Sequence, residues 1–214
     1  MNDDVSLKKT DMLKPVDTPL IRAMIKIFER LDADIDRPLN VWLAGGIAMH
    51  IYNQLRSTGD IDAEFGSRIF IPNNLIVDVE DGNEDQAKKL YFDTNYSAMF
   101  ALAHQDYQHD AIPLDLGYPD RGPKFLKVYV LCPVDLAVSK IARFSENDQK
   151  DIENLVKQRL VSSKEIEIRA MEALSHFVGN TNMLRFNIRD AVDIAKEAEK
   201  SASFRLAEPC GSSW

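Results

Sequence analysis

A short apolar run, Val41, Trp42, Leu43 and Ala44, ends abruptly in Gly45-Gly46, and an amphipathic stretch then leads to Ser57-Thr58-Gly59-Asp60-Ile61-Asp62. This order of features constrains the fold more than any other part of the chain. The apolar run reads as a buried strand that the glycine pair breaks. Ile47, Ile51 and Leu55 recur on one helical face, which predicts a helix ending near Arg56. Residues 61–65 read as a second strand. Side chains alternate along a strand, so Asp60 and Asp62 point the same way. Backbone amides at a glycine-led helix start favour anions, and here they precede paired carboxylates. The arrangement predicts a phosphate cradle facing a metal site.

The carboxylates set the chemistry. Two like charges held together disfavour joint ionisation, and a divalent cation relieves the repulsion. Hard oxygen ligands suit magnesium, which takes one or two carboxylates together with substrate phosphates and water. In a two-metal site one ion activates the attacking oxygen and the other stabilises the leaving oxygen. A third acid would complete such a site. Asp115, inside the apolar run 112–116, is the first candidate, because a charge there needs a partner or a metal. Asp78, inside the run 75–79, is the second. Arg56 is placed to hold phosphate, and Ser57 or Thr58 to donate a hydroxyl, although each also suits a helix end. Lys140 would neutralise a triphosphate as a point charge. Arg143, three residues on, shares its helical face. Asp148 and Asp151 read as helix-start charges. His50, His104, His109 and His176 show no ligand spacing and read as surface or packed histidines.

The 214 residues suit one domain, or one domain with a helical appendage. A net charge of -8 and a pI of about 5.1 argue against broad nonspecific nucleic-acid binding. A local basic groove built from Arg121, Lys124, Lys127, Lys140 and Arg143 stays open. Cys132 and Cys210 lack metal-type spacing and read as reduced thiols. No apolar run approaches the roughly 18 residues of a membrane helix. The acidic start Met1-Asn2-Asp3-Asp4 has no apolar core behind it and does not read as a secretory signal. A cytoplasmic protein with no membrane partner is expected.

The pattern predicts an α+β chain: a mixed sheet with flanking helices over 15–132, helices over 133–206, and loose ends at 1–14 and 207–214. Thr18-Pro19 opens the first helix, with Leu20, Met24, Ile25, Phe28 and Leu31 at helical spacing. Residues 69–71 and 75–77 are short apolar runs, 79–83 an acidic turn and 84–90 a short helix. Strands are expected at 99–103, 112–116 and 127–131, with a polar loop at 105–110. After Pro133 the stripes are helical: Val134, Ala137, Val138 and Ile141, then Ile152, Leu155, Val156 and Leu160. Ser162-Ser163-Lys164-Glu165 resembles a capping box. Ile188, Ala191, Val192 and Ala195 mark the last helix.

Gly45-Gly46, Asp60-Ile61-Asp62 and a later strand aspartate together resemble the nucleotidyltransferase superfamily with the polymerase-beta-like fold. More closely, the chain resembles the abortive-infection (AbiEii-like) nucleotidyltransferase toxins. Asp135, Lys140 and Arg143, followed by Asp148 and Asp151, are similar to that group's second signature. The resemblance covers about 41–155. It implies magnesium-dependent transfer of a nucleoside monophosphate from a nucleoside triphosphate (ATP among the candidates), with two Mg2+ ions and pyrophosphate as the leaving group. Asp60 and Asp62 would hold the metals, and Asp115 would help to deprotonate the acceptor hydroxyl. Gly45, Gly46 and a nearby hydroxyl would cradle the triphosphate, and Lys140 would contact phosphate or assist the acceptor. The implied acceptor is an RNA such as tRNA, or a protein, and a cognate antitoxin is an implied partner. Two readings compete with it. One is a non-catalytic nucleotide- or partner-binding protein on the same fold. The other is a metal-dependent phosphohydrolase, which the lack of a clustered His-Asp pair disfavours.

Overall fold

Thr18 and Pro19 open the first helix as their chemistry dictates. In the computed structural model, which describes residues 12–72, 75–80, 88–93, 101–117 and 125–207, the Thr18 hydroxyl accepts from the Ile21 amide, and Pro19 occupies the first turn. This helix, α1 (Pro19–Ala33), buries Leu20, Met24, Ile27, Phe28 and Leu31. It is followed by β1 (Leu39–Leu43), α2 (Gly45–Asn53), β2 (Asp60–Ile61), β3 (Ala63–Phe65), β4 (Ile76–Val79) and β5 (Lys88–Phe92). Next come a single helical turn, α3 (Tyr107–Asp110), and strands β6 (Ile112–Pro113) and β7 (Leu126–Val130). The rest is helical: α4 (Pro133–Ser139), α5 (Glu146–Lys157), α6 (Ser163–His176) and α7 (Asn182–Ala207). The described residues therefore form an α+β protein. Its internal contacts divide it into two compact units, residues 1–96 with 108–131, and residues 97–107 with 132–214.

The first unit carries both sheets. In one, the order is β3-β1-β7-β6; β1 and β7 are parallel, and the outer strands are antiparallel to their neighbours. In the other, the order is β2-β5-β4, with β2 parallel and β4 antiparallel to β5. α1 packs its apolar face on β4 and β5, and Phe28 meets Phe92 with ring centroids 5.7 Å apart. The buried Asp32 carboxylate accepts from the Phe125 and Leu126 amides, both at 2.9 Å, and so fixes the entry into β7.

In the second unit, α5 and α6 each pack on α4 and on α7. Serine capping boxes start two of these helices, Ser145 with Asp148 and Ser162 with Glu165. Asp135 on α4 is buried and receives two bonds from the Arg169 guanidinium on α6, at 2.8 and 2.7 Å.

Several local expectations need correction. Residues 88–90 belong to strand β5, because Leu90 and Phe92 alternate inward between exposed Lys89 and Tyr91; residues 84–87 lie outside the described set. The strand expected at 61–65 is two strands in different sheets, with Asp62 at the change-over. Only Ile112 and Pro113 of the expected strand 112–116 pair with β7, and Leu114 adds a bridge to Leu13. The described part of 99–103 forms no strand, and 105–110 contains the α3 turn. Val79 is in β4, whereas 81–83, Arg121, Lys124, Cys210 and the tail lie outside the described residues.

Candidate functional site

Asp62 sits where the two sheets meet. Its carbonyl oxygen accepts from the Ala44 amide at the end of β1, at 2.9 Å. The preceding carbonyl, of Ile61, accepts from the Asp93 amide at 3.1 Å. The parallel register pairs Asp60 with Tyr91 and Ile61 with Phe92, so Asp93 is the next residue beside Asp62. Asp60, Asp62 and Asp93 are each half-buried, and each offers a carboxylate oxygen within 4.8 Å of the others. Three acids this close repel one another unless a cation or protons intervene. Their all-oxygen donor set fits magnesium. The site residues and the expected metal are therefore compatible.

The third acid is not one of the two expected from the sequence. Asp115 is exposed, and its carboxylate accepts from the Gly117 amide at 2.9 Å. Asp78 is exposed on β4 opposite Lys89. The apolar context that recommended them comes from Leu114, Leu116, Val77 and Val79, which point inward while the acids point out. The missed signal was the run Leu90-Tyr91-Phe92-Asp93, an alternating strand that ends in an acid.

The glycines make room for side chains. Gly45 has φ +58°, and a Cβ there would lie 1.6 Å from the Asp62 Oδ2 atom. At Gly46 a Cβ would lie 2.8 Å from both Cβ and Oγ1 of Thr58. Both side chains therefore press against the start of α2. The cap residue, Ala44, makes no side-chain hydrogen bond to the N-terminal amides of α2. Thr58 donates its hydroxyl to the Asp60 carboxylate, so it orients a candidate metal ligand. Ser57 is exposed and Arg56 half-buried. The Arg56 carbonyl accepts from His50 Nδ1 at 2.6 Å, and the His50 Nε2 atom lies 2.8 Å from the Thr18 hydroxyl. A carbonyl can only accept, so Nδ1 carries a proton. The buried His50 thereby ties the loop before Asp60 to α1 and α2, as a packed histidine.

A family model described as "Nucleotidyltransferase of unknown function (DUF6036)" matches residues 4–199. The chain belongs to this family. No curated protein and no solved structure matches it. The family description agrees with the chemistry of a three-acid cluster beside a helix N-terminus. It does not extend to the closer AbiEii-like relationship.

In this family member the second group of expected site residues forms a charge network inside the helical unit. Lys140 is buried, 3.0 Å from the Asp151 carboxylate and 3.8 Å from that of Asp148. Arg143 donates to both oxygens of Asp148 at 2.8 Å. Burial alone would raise the Asp148 pKa, but hydrogen bonds from Arg143 and Ser145 and the charge of Lys140 outweigh it and hold it at about 2. Asp148 is a first-turn cap, as expected, whereas Asp151 is a buried partner of Lys140. Cys132 donates to Asp135, and burial pushes its thiol pKa up to about 12. Among the described residues no helix is long and apolar enough to cross a membrane.

Proposed function

We propose that this protein is a magnesium-dependent nucleotidyltransferase of the polymerase-beta-like type, with Asp60, Asp62 and Asp93 as its metal ligands. The observation that carries the reading is the convergence of three carboxylates from two adjacent strand ends within 4.8 Å. Bound magnesium would neutralise the triphosphate and make a coordinated hydroxyl more acidic. The N-terminal amides of α2 would take phosphate oxygens. In the reaction, the acceptor hydroxyl oxygen bonds to the α-phosphorus, and the bond from that phosphorus to the bridging oxygen breaks. Pyrophosphate leaves, and Asp93 takes the hydroxyl proton, the role first sought in Asp115. Thr58 holds the Asp60 carboxylate in place, and Gly45 lets Asp62 close against the helix start. Lys140 and Arg143 support the helical unit through Asp148 and Asp151.

The test is incubation with each α-labelled nucleoside triphosphate, magnesium and a total cell extract. Wild type and Asp115→Asn should transfer label. Asp93→Asn should lose about 100-fold or more, and an Asp60→Ala/Asp62→Ala double variant should be inactive. Absence of transfer with every nucleotide, by a folded protein that still binds one, would favour the non-catalytic binding reading.

A further inference from the structure

A cavity of about 430 Å³ opens between residues 34–39, which link α1 to β1, and residues 67–72, which follow β3. Small-molecule sites usually measure about 300–1,000 Å³. Register sets Leu43 opposite Ala63 and Val41 opposite Phe65. Asp62 therefore lies at the Leu43 end of β1, and the cavity lies at the Leu39 end. At about 3.3 Å per residue these ends are about 13 Å apart. The cavity is thus separate from the acid cluster, within the same compact unit.

Its charges have no partners. Asp34, Asp36 and Arg37 line one side and Arg68 the other. All four are exposed, and among the described residues none of their side chains makes a hydrogen bond or an ion pair. Asp34 is also the C-terminal cap of α1. The negative pole of the helix dipole lies there, where a cation is favoured and an acid is not. Asp34 thus costs the helix stability and draws positive charge to this side of the cavity. Between the charges the wall is apolar: Ile35 and Ile69 are half-buried, and Phe70 is 81% exposed.

We infer that this cavity binds a free α-amino acid with an apolar side chain. The ammonium lies with Asp34 and Asp36 at the helix end. The carboxylate takes the guanidinium groups of Arg68 and Arg37, whose planar forks match its geometry. The side chain covers Phe70 between Ile35 and Ile69. A phosphate or other simple anion would meet two aspartates and the helix pole as well as the arginines, and a simple cation would meet the arginines. A zwitterion satisfies both sets at once. Binding here needs neither metal nor nucleotide, so it does not depend on the reaction assigned to the acids.

The experiment is calorimetry with L-phenylalanine and L-leucine on the full chain, without metal or nucleotide. Wild type should bind with a Kd of about 1 mM or below. N-acetyl-L-phenylalanine lacks the ammonium and L-phenylalaninamide lacks the carboxylate, and each should bind about tenfold more weakly than L-phenylalanine. Arg68→Gln should weaken binding of L-phenylalanine about tenfold. Asp34→Asn should weaken it similarly and yet raise the urea midpoint, because the acid leaves the helix end. A purely structural role would move affinity and stability the same way. Wild type that binds neither amino acid overturns the inference. Equal binding of the acetylated or amidated form does so too, since the cavity would then be a simple anion or cation site. So does an Asp34→Asn or Arg68→Gln variant with the affinity of wild type.

Discussion

Replacing Gly45 with alanine tests how the acid cluster is assembled. Two costs combine at this position. The backbone has φ +58°, and a left-handed conformation costs a residue with a Cβ about 1–2 kcal/mol. The added Cβ would also lie 1.6 Å from Asp62 Oδ2 and 2.5 Å from its Cγ, far inside any contact distance. Something must move, and overpacking of this kind costs about 1–3 kcal/mol. The half-buried Asp62 can relieve the overlap by turning away, but then one carboxylate leaves the cluster. The expected total is about 2–5 kcal/mol of stability, together with weakened metal binding. Gly117→Ala is the internal control. Its φ is +61°, and no described heavy atom lies within 4 Å of the new Cβ. It should show the backbone cost alone, about 1–2 kcal/mol, with metal binding unchanged. Urea unfolding gives the stabilities and manganese calorimetry the affinities. The reasoning fails if Gly45→Ala is no more destabilised than Gly117→Ala and binds metal as wild type does.

Two further predictions concern the helical unit. The folded Asp148 pKa of about 2 lies below its ordinary value of 3.8, so its contribution is present above pH 4 and disappears as pH falls towards 2. Asp148→Asn should therefore lose about 1–2 kcal/mol at neutral pH, discounted for the exposed Arg143 and for salt, and the gap from wild type should close on acidification in urea titrations. Lys140→Met should destabilise by about 3 kcal/mol because it leaves Asp151 buried without its cation. Adding Asp151→Leu should recover much of this loss; no recovery in chemical unfolding would show that the pair is not the source of the cost.

The residues differ in how far they could be read from the sequence, and the reason is range. Thr18-Pro19, the serine capping boxes and the helical stripes act within a few residues, so their chemistry is visible in one dimension. The paired aspartates were legible for the same reason, since strand alternation alone puts Asp60 and Asp62 on one face. The role of Thr58 was half legible: its hydroxyl was noticed, but its bond goes to Asp60, two residues away, and phosphate was the expected partner. Lys140 was legible as an isolated cation but not as a buried one, because Asp148 and Asp151 reach it only after α4 and α5 pack.

The sequence by itself determined that a strand would break at Gly45 and that a close pair of acids would follow a helix. These outcomes follow from backbone freedom and side-chain alternation. Only the tertiary structure decided which acid joins the cluster. Asp93 reaches Asp62 through a parallel pairing of β2 with β5, and parallel neighbours are joined by long connections whose pairing no local pattern specifies. An apolar setting made Asp115 and Asp78 look buried, yet alternation on a half-exposed strand turns the acid outward while its neighbours point in. The structure likewise decided that Gly45 and Gly46 are small because Asp62 and Thr58 occupy the space where their side chains would be.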